Sequence, residues 1–218
     1  MTRLRVRSGW ALPAVCGLVL AVAGCATPES SASPSPAGAE AAATPAATAE
    51  AGSDRPFGTD CSAVPPTGEG SFAGMADDRV ATAGSHNPGM TAWTAAVGAA
   101  HLGASFDAQE DVTVLAPVDA AFAAVPRDSM RTLIADTPRL TAVLTHHVLQ
   151  GRLAPEQLAG THTTLNNDQV TIEVSPEAFT VAAEGTAMGT AARVICGNVQ
   201  TVNATVYLID QVLAPPAG

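Results

Sequence analysis

Apolar and polar positions divide the 218-residue chain into three stretches of different texture. Residues 10–23 form an apolar run without a charge, and residues 26–55 are dominated by Ala, Pro, Ser, Thr and Glu. From residue 57 to residue 215, short apolar segments alternate with Gly, Pro and Asn. Only this last stretch carries enough apolar surface to offset the entropy of ordering, and its length suits one domain.

The first half of the last stretch has helical periodicity. A helix is predicted over 72–83 and a second is predicted to open at Pro88. Three more are predicted: a short one through Phe122 with Asp119 as its N-cap, one over 128–135, and one from Pro138. The apolar positions that set the period of the first two helices are Phe72, Met75, Ala76 and Val80, then Met90, Trp93, Val97 and Leu102.

Strands follow the helices. A β-branched run predicts a strand over 112–116, and the last helix is predicted to give way near His146 to a strand over 147–149. Because helices come first and closely spaced strands later, the pattern favours an α+β domain over alternating βαβ units. The remaining predicted strands are 161–165, 169–174, 178–182, 193–196, 199–202 and 205–209.

The N-terminus has the pattern of an export signal. Three arginines precede the apolar run, which is too short to span a bilayer, since a membrane helix needs roughly 20 residues. Residues 22–25, Val-Ala-Gly-Cys, resemble the lipobox of bacterial lipoproteins, so Cys25 is predicted to carry a lipid; ordinary secretion with Cys25 incidental is the alternative. The predicted divisions are a signal peptide over 1–24, a disordered stalk over 25–56 and a folded domain over 57–218, with its core at about 72–215.

Charge narrows the set of partners. Acidic residues outnumber basic ones by 20 to 10, every basic residue is an arginine, and three arginines fall in the predicted signal peptide. So acidic a chain lacks the basic footprint that nucleic acid requires, and it does not favour electrostatic docking on anionic lipid. Membrane attachment is therefore assigned to the predicted lipid on Cys25.

Two cysteines remain for the folded part. Cys16 lies in the predicted signal peptide and Cys25 in the lipobox, which leaves Cys61 and Cys196. An even pair in an oxidising compartment predicts a disulfide. Two free thiols or a metal pair are the alternatives, but neither cysteine has a second Cys or a His at ligand spacing.

Three segments, taken together, resemble one family. Residues 113–122 (TVLAPVDAAF) resemble the first box of the fasciclin (FAS1) domain, usually TVFAPTNxAF. Residues 146–151 (HHVLQG) resemble its YHVxxG segment, and residues 203–215 (NATVYLIDQVLAP) its closing box. Upstream segments and the flanking cysteine pair are similar to the mycobacterial branch of secreted and lipid-anchored fasciclin-type antigens.

This resemblance implies a fold and a set of candidate residues. The implied fold is a single-domain wedge of two β-sheets with helices packed along one edge. Adhesion in the family is tied to the Tyr-His dipeptide and nearby aliphatic residues, although His146 stands here at the Tyr position. The candidate interaction residues are His146, His147, Val148, Leu149 and Asp210.

Metal binding and catalysis find little support in the sequence. Adjacent strand residues point to opposite faces, so His146 and His147 are expected not to meet one ion, with His147 buried and His146 more exposed. The sequence contains no GxSxG elbow, HExxH motif or phosphate-binding loop. No enzyme activity, cofactor or metal is predicted.

The predicted function is adhesion to, or interaction with, an extracellular protein or glycan at the cell surface. The alternative is an extracytoplasmic carrier of an apolar small molecule or envelope lipid.

Overall fold

The computed structural model describes residues 55–175 and 178–216. The predicted signal peptide, Cys25 and almost all of the predicted stalk lie outside the described residues. The described elements include two short 3-10 turns, Cys61–Ala63 and Ala183–Gly185. The helices are α1 (Phe72–Ala76), α2 (Val80–His86), α3 (Thr91–Ala99), α4 (Gly103–Asp107), α5 (Asp119–Ala124), α6 (Arg127–Ala135), α7 (Thr137–His146) and α8 (Pro155–Leu158). The strands are β1 (Val112–Pro117), β2 (Val148–Gln150), β3 (Gly160–Thr163), β4 (Gln169–Val174), β5 (Phe179–Val181), β6 (Ala192–Gln200) and β7 (Ala204–Ile209).

The strands form one mixed sheet in the order β2-β1-β7-β6-β5-β4-β3. Strands β1 and β7 pair in parallel, and the other neighbours pair antiparallel. The two ends of the sheet approach each other, because Leu149 of β2 bridges Thr164 just after β3. The sheet is therefore nearly closed into a barrel, where the sequence analysis expected two sheets.

Both faces of the central strands are buried. Along β7, Val206 and Leu208 pack with the helices, while Tyr207 and Ile209 pack in a second core cluster with Leu115 and Leu149. This alternation follows from the period of two along a strand. The closing box of the sequence is thus scaffold on both faces.

The helix predicted over 72–83 is two helices in the structure. The backbone carbonyl of Asp78 accepts a hydrogen bond from the amide of Val202 (2.9 Å), and the amide of Val80 donates to Oδ1 of Asn203 (2.8 Å). These long-range bonds hold Arg79 extended, and α2 begins immediately after it. Tertiary contacts therefore override a helical period that the sequence shows without a break.

Other boundaries also differ from the prediction. Helix α3 ends before Leu102, because His101 adopts a left-handed backbone (φ 57°). Helices α4 and α8 were not predicted. The strands predicted over 193–196 and 199–202 are one strand, β6, which shifts register twice against β7.

Asp119 is not the N-cap of α5. It is the first residue of α5, and its Oδ1 accepts a hydrogen bond from the amide of Ala92 (2.7 Å), while Oδ2 accepts one from the Thr91 hydroxyl. The N-cap prediction was therefore wrong: the carboxylate satisfies an amide in the first turn of α3 instead.

Cys61 and Cys196 form a disulfide, as predicted. Beside it, the amide and carbonyl of Phe57 both bond to Gly197 (3.1 and 2.7 Å), so the start of the domain pairs with β6. Gly58 (φ 125°) makes this approach possible, since a Cβ there would lie 2.2 Å from the carbonyl oxygen of Ile195. The start of the folded chain is thus joined to β6 both covalently and by backbone pairing.

Candidate functional site

His147 is held rigidly inside the domain. It caps the C-terminus of α7, is fully buried, and its Nδ1 donates to the carbonyl of Val143 (2.8 Å). Its Nε2 accepts from the amide of Leu213 (2.9 Å), and the Trp93 ring lies 5.4 Å from the imidazole. Burial lowers the pKa of His147 to about 3, so the imidazole is neutral. Both of its ring nitrogens form hydrogen bonds inside the domain, which indicates a structural role.

His146 is buried as well, which corrects the expectation that it is more exposed. It is the last residue of α7 and not part of a strand, and its Nδ1 lies 2.7 Å from Oδ1 of Asp168. Asp168 is further bonded by Asn166 (Nδ2 to Oδ2, 2.7 Å) and by the Thr164 hydroxyl. Burial alone raises the pKa of Asp168, but these three hydrogen bonds together lower it below its usual value.

The two imidazoles do not converge on one point. Their centroids are 6.5 Å apart and their planes stand at 89°. In residues 55–175 and 178–216, no group of three or more His, Cys, Asp or Glu side chains could hold a metal ion. Val148 and Leu149 follow on β2 and are also buried. An adhesion contact through these four residues stays a prediction, and it would require the domain to open at β2.

Asp210 lies at the end of β7 and is half-buried. Its Oδ1 accepts a hydrogen bond from the amide of Arg193 (2.7 Å), and its own amide donates to the carbonyl of the same residue (3.1 Å). Asp210 therefore closes the β6–β7 ladder. Of the candidate interaction residues it is the one that retains partial access to solvent.

Helix α6 is the least buried long helix among the described residues. None of its nine residues is buried, and it packs against α7. Met130 and Leu133 are half-buried, while 47% of the Ile134 surface is exposed. An isolated helix of this length is marginal in water, so a covering partner would add to its stability.

Two open grooves flank α6. The first, about 690 Å³, runs between α6, α7 and the C-terminal segment, past Leu133, Arg139, Val143 and Val212. The second, about 620 Å³, lies between α6 and the end of α5 and is called the α5–α6 groove below. Its lining is Phe122, Ala123, Val125, Arg127, Met130, Arg131, Ile134 and Ala135.

A smaller pocket of about 300 Å³ lies near the disulfide. Val64, Val118, Ile195 and Leu208 give it a mostly apolar lining. Its size is that of a small-ligand site at the lower limit. By contrast, a void inside the core near Met75 measures only about 10 Å³.

Comparison with known proteins identifies the family. A sequence profile of the fasciclin domain matches residues 88–215. The chain belongs to the fasciclin domain family. It is 40% identical over 194 residues to cell surface glycolipoprotein MPB83 of Mycobacterium bovis, which covers 85% of this chain and 84% of that protein. It is also 38% identical over 160 residues to immunogenic protein MPB70 of Mycobacterium bovis, covering 71% and 78%. The resemblance drawn from the three boxes is confirmed.

A solved structure shows the same fold. The FAS1 domain pair of the insect cell adhesion molecule fasciclin I aligns with a TM-score of 0.52 at 13% identity, covering 66% of this chain. The alignment spans about half of that two-domain chain, 52%. Among the described residues, no helix has the length and apolarity to cross a membrane.

The α5–α6 groove was missed by sequence reasoning, although helix α6 itself was predicted. The signal was present in the sequence: Arg127 and Arg131 are four residues apart, as are Met130 and Ile134, so each pair lies on one helix face. Periodicity alone does not say whether an apolar face is covered by the rest of the chain.

Proposed function

We propose that this fasciclin domain is held on the extracytoplasmic face of the cell membrane by a lipid on Cys25 and interacts there with an extracellular protein or glycan. The observation that carries the proposal is the 40% identity, over most of both chains, to a protein named as a cell surface glycolipoprotein. Relatives named as surface or immunogenic proteins favour an extracellular location. The lipobox-like residues 22–25 supply the attachment point.

The fold supports an interaction role over catalysis. The domain family includes adhesion molecules, and such families are generally non-enzymatic. His146 and His147, which the sequence suggests as candidate functional residues, are buried and hydrogen-bonded to backbone or carboxylate groups. The exposed surface includes apolar grooves around α6, and exposed apolar surface of this kind marks interaction sites.

Anchoring is tested by expressing the full chain in a mycobacterial host fed an alkyne-tagged fatty acid. The wild-type protein is expected to take up the tag and to fractionate with the membrane. The Cys25→Ser variant is expected to lose the tag and to appear in the medium. Equal tagging of both proteins, or a membrane-bound variant without the tag, would refute anchoring through Cys25.

Interaction is tested with the full mature chain immobilised through its N-terminal cysteine. Extracellular matrix proteins and purified envelope glycans are passed over it one at a time. Saturable binding to at least one of them is expected. If none of them saturates, while the protein remains folded by circular dichroism, the interaction role fails.

The pocket near the disulfide favours one further candidate, a carrier of an apolar small molecule. Its approximately 300 Å³ would hold a small apolar group, although not a whole long-chain lipid. Native mass spectrometry of protein purified without detergent tests this function. A bound apolar molecule that is lost in the pocket-filling variant Ala120→Leu supports it; an unliganded mass contradicts it.

A further inference from the structure

The charge on the α5–α6 groove differs from that of the rest of the domain. The chain is acidic, with a formal net charge of −10. Yet the charged residues that line this groove, among those the structure describes, are two arginines, Arg127 and Arg131. A third, Arg139, lines the groove on the other side of α6 together with Asp128.

Arg127 and Arg131 form few interactions within the described part of the domain. Arg131 lies 3.4 Å from Asp128, but the two side chains are 81% and 94% exposed, so the pair contributes little and is easily exchanged. Among residues 55–175 and 178–216, no hydrogen bond or ion pair involves the Arg127 guanidinium. Both groups are therefore available to carboxylates of another molecule.

Apolar side chains lie between and beside the two cations. Met130 and Ile134 follow Arg127 and Arg131 at offsets of three, so the charged and apolar positions alternate along one side of α6. Phe122 and Val125 of the preceding segment form the opposite wall. A ligand that fits this groove carries apolar groups flanked by negative charge.

We propose that the α5–α6 groove binds an acidic segment of a partner protein, with an apolar side chain of that segment against Met130 and Ile134 and two of its carboxylates on Arg127 and Arg131. This inference rests on the proposed interaction function and assigns it a surface and a ligand chemistry. Arginine forms paired hydrogen bonds with carboxylates, which fixes the orientation of such a segment.

The shape of the groove favours a peptide over a lipid. An open groove leaves much of an acyl chain in contact with water, whereas ligand sites normally bury most of their ligand. A peptide brings its own backbone and neighbouring side chains to cover the outer side. An amphipathic segment laid along α6 would also bury the apolar side chains that this helix leaves exposed.

The test uses the full mature chain and three fluorescent peptides of equal length. One alternates Glu with Leu, one alternates Lys with Leu, and one alternates Glu with Ser. Fluorescence anisotropy is expected to show saturable binding of the Glu/Leu peptide alone, weakening as salt rises from about 0.05 M to about 0.5 M. Equal binding of the Lys/Leu peptide, or none of the Glu/Leu peptide, would overturn the proposal.

Matched arginine variants locate the binding site. Arg127→Gln/Arg131→Gln is expected to weaken Glu/Leu binding at least about tenfold, and Arg193→Gln, an exposed arginine on β6, less than about twofold. Ile134→Asn is expected to weaken it as well. Because Arg127, Arg131 and Arg193 are exposed, the unfolding midpoints of the arginine variants should match that of the wild type. Unchanged affinity in the double variant rejects the groove.

Evidence for a different occupant of the α5–α6 groove would also overturn the proposal. Binding to vesicles of phosphatidylglycerol but not to the Glu/Leu peptide would indicate a lipid surface. Self-association that the double variant abolishes would indicate a second copy of this chain. If the double variant retains wild-type binding to a matrix or envelope component, the proposed function stands and the groove assignment fails; if the wild type binds no such component, the proposed function itself fails.

Discussion

The backbone amide of Leu213 donates to Nε2 of His147 across 2.9 Å, so one imidazole joins the end of α7 to the last segment of the domain. The bond requires an unprotonated Nε2. In the folded state the pKa of His147 is lowered to about 3 by burial, whereas the ordinary value is 6.5.

The first prediction is a pH dependence of stability. Because the unfolded chain protonates His147 near pH 6.5 and the folded chain near 3, the stabilisation is complete above pH 6.5. It should decline below that by about 1.4 kcal/mol per pH unit until pH 3. Urea unfolding at several pH values measures this slope.

Variants assign the slope to His147. His147→Gln should cost about 2 kcal/mol at pH 7 and remove its contribution to the slope. His101→Asn, which replaces an exposed histidine, should leave the slope unchanged. A slope that persists in His147→Gln would refute the assignment.

The second prediction concerns Asn203, whose side chain is buried between three segments. Its Nδ2 donates to the carbonyls of Phe106 (3.0 Å) and Gln109 (2.9 Å), and its Oδ1 accepts from the amide of Val80 (2.8 Å). Asn203→Ala would leave these backbone groups without a partner and should lower the free energy of unfolding by about 3 kcal/mol or more. Chemical denaturation measures the loss.

A surface amide serves as the control for Asn203. Gln150→Ala removes an exposed amide with one long hydrogen bond (3.3 Å) and should cost less than about 0.5 kcal/mol. Similar losses in both variants would contradict the role of Asn203.

The third prediction concerns the disulfide. Cys61 and Cys196 are 135 residues apart, and closing a loop of that length stabilises a fold by about 5 kcal/mol in the chain-entropy model. Cys61→Ala/Cys196→Ala should lose stability of that order. The wild type in reducing agent should approach the same value, and an unchanged midpoint in both cases would contradict the model.

The fourth prediction concerns the bond from Asp119 to the first turn of α3. Asp119→Ala leaves the Ala92 amide unsatisfied and should cost about 1–2 kcal/mol. Amide hydrogen exchange should accelerate in the first turn of α3. Asp119→Asn keeps an acceptor and should cost less, so equal losses would argue against the bond.

Much of the fold could be predicted from the sequence. The strand β4 and the helices α6 and α7 follow periodic patterns and lie close to where these patterns place them. The break at Arg79 could not be predicted, because it depends on bonds from residues 202 and 203. Local pattern cannot indicate contacts across such sequence distances.

The candidate site was harder to predict than the fold. In the sequence, His146 and His147 are the residues that most suggest a functional site. In the structure, hydrogen bonds from both imidazoles join separate segments inside the domain. The sequence gives no functional signal at Arg127 and Arg131, because exposed arginines on a helix are common. The proposal for these two arginines depends on the groove beside them, whose described lining includes no carboxylate.

The disulfide also determines how the domain would carry a mechanical load. A pull on the chain before Cys61 passes at once into β6, the middle strand of the sheet order. Helix α6 lies near the centre of the covalent loop, so a force applied between the chain before Cys61 and α6 would be shared by two arms of similar length. Neither arm can extend beyond the contour length of the other. Each of the two arms would carry only part of the force, so the loop would extend less at a given load than one arm of the same length would alone.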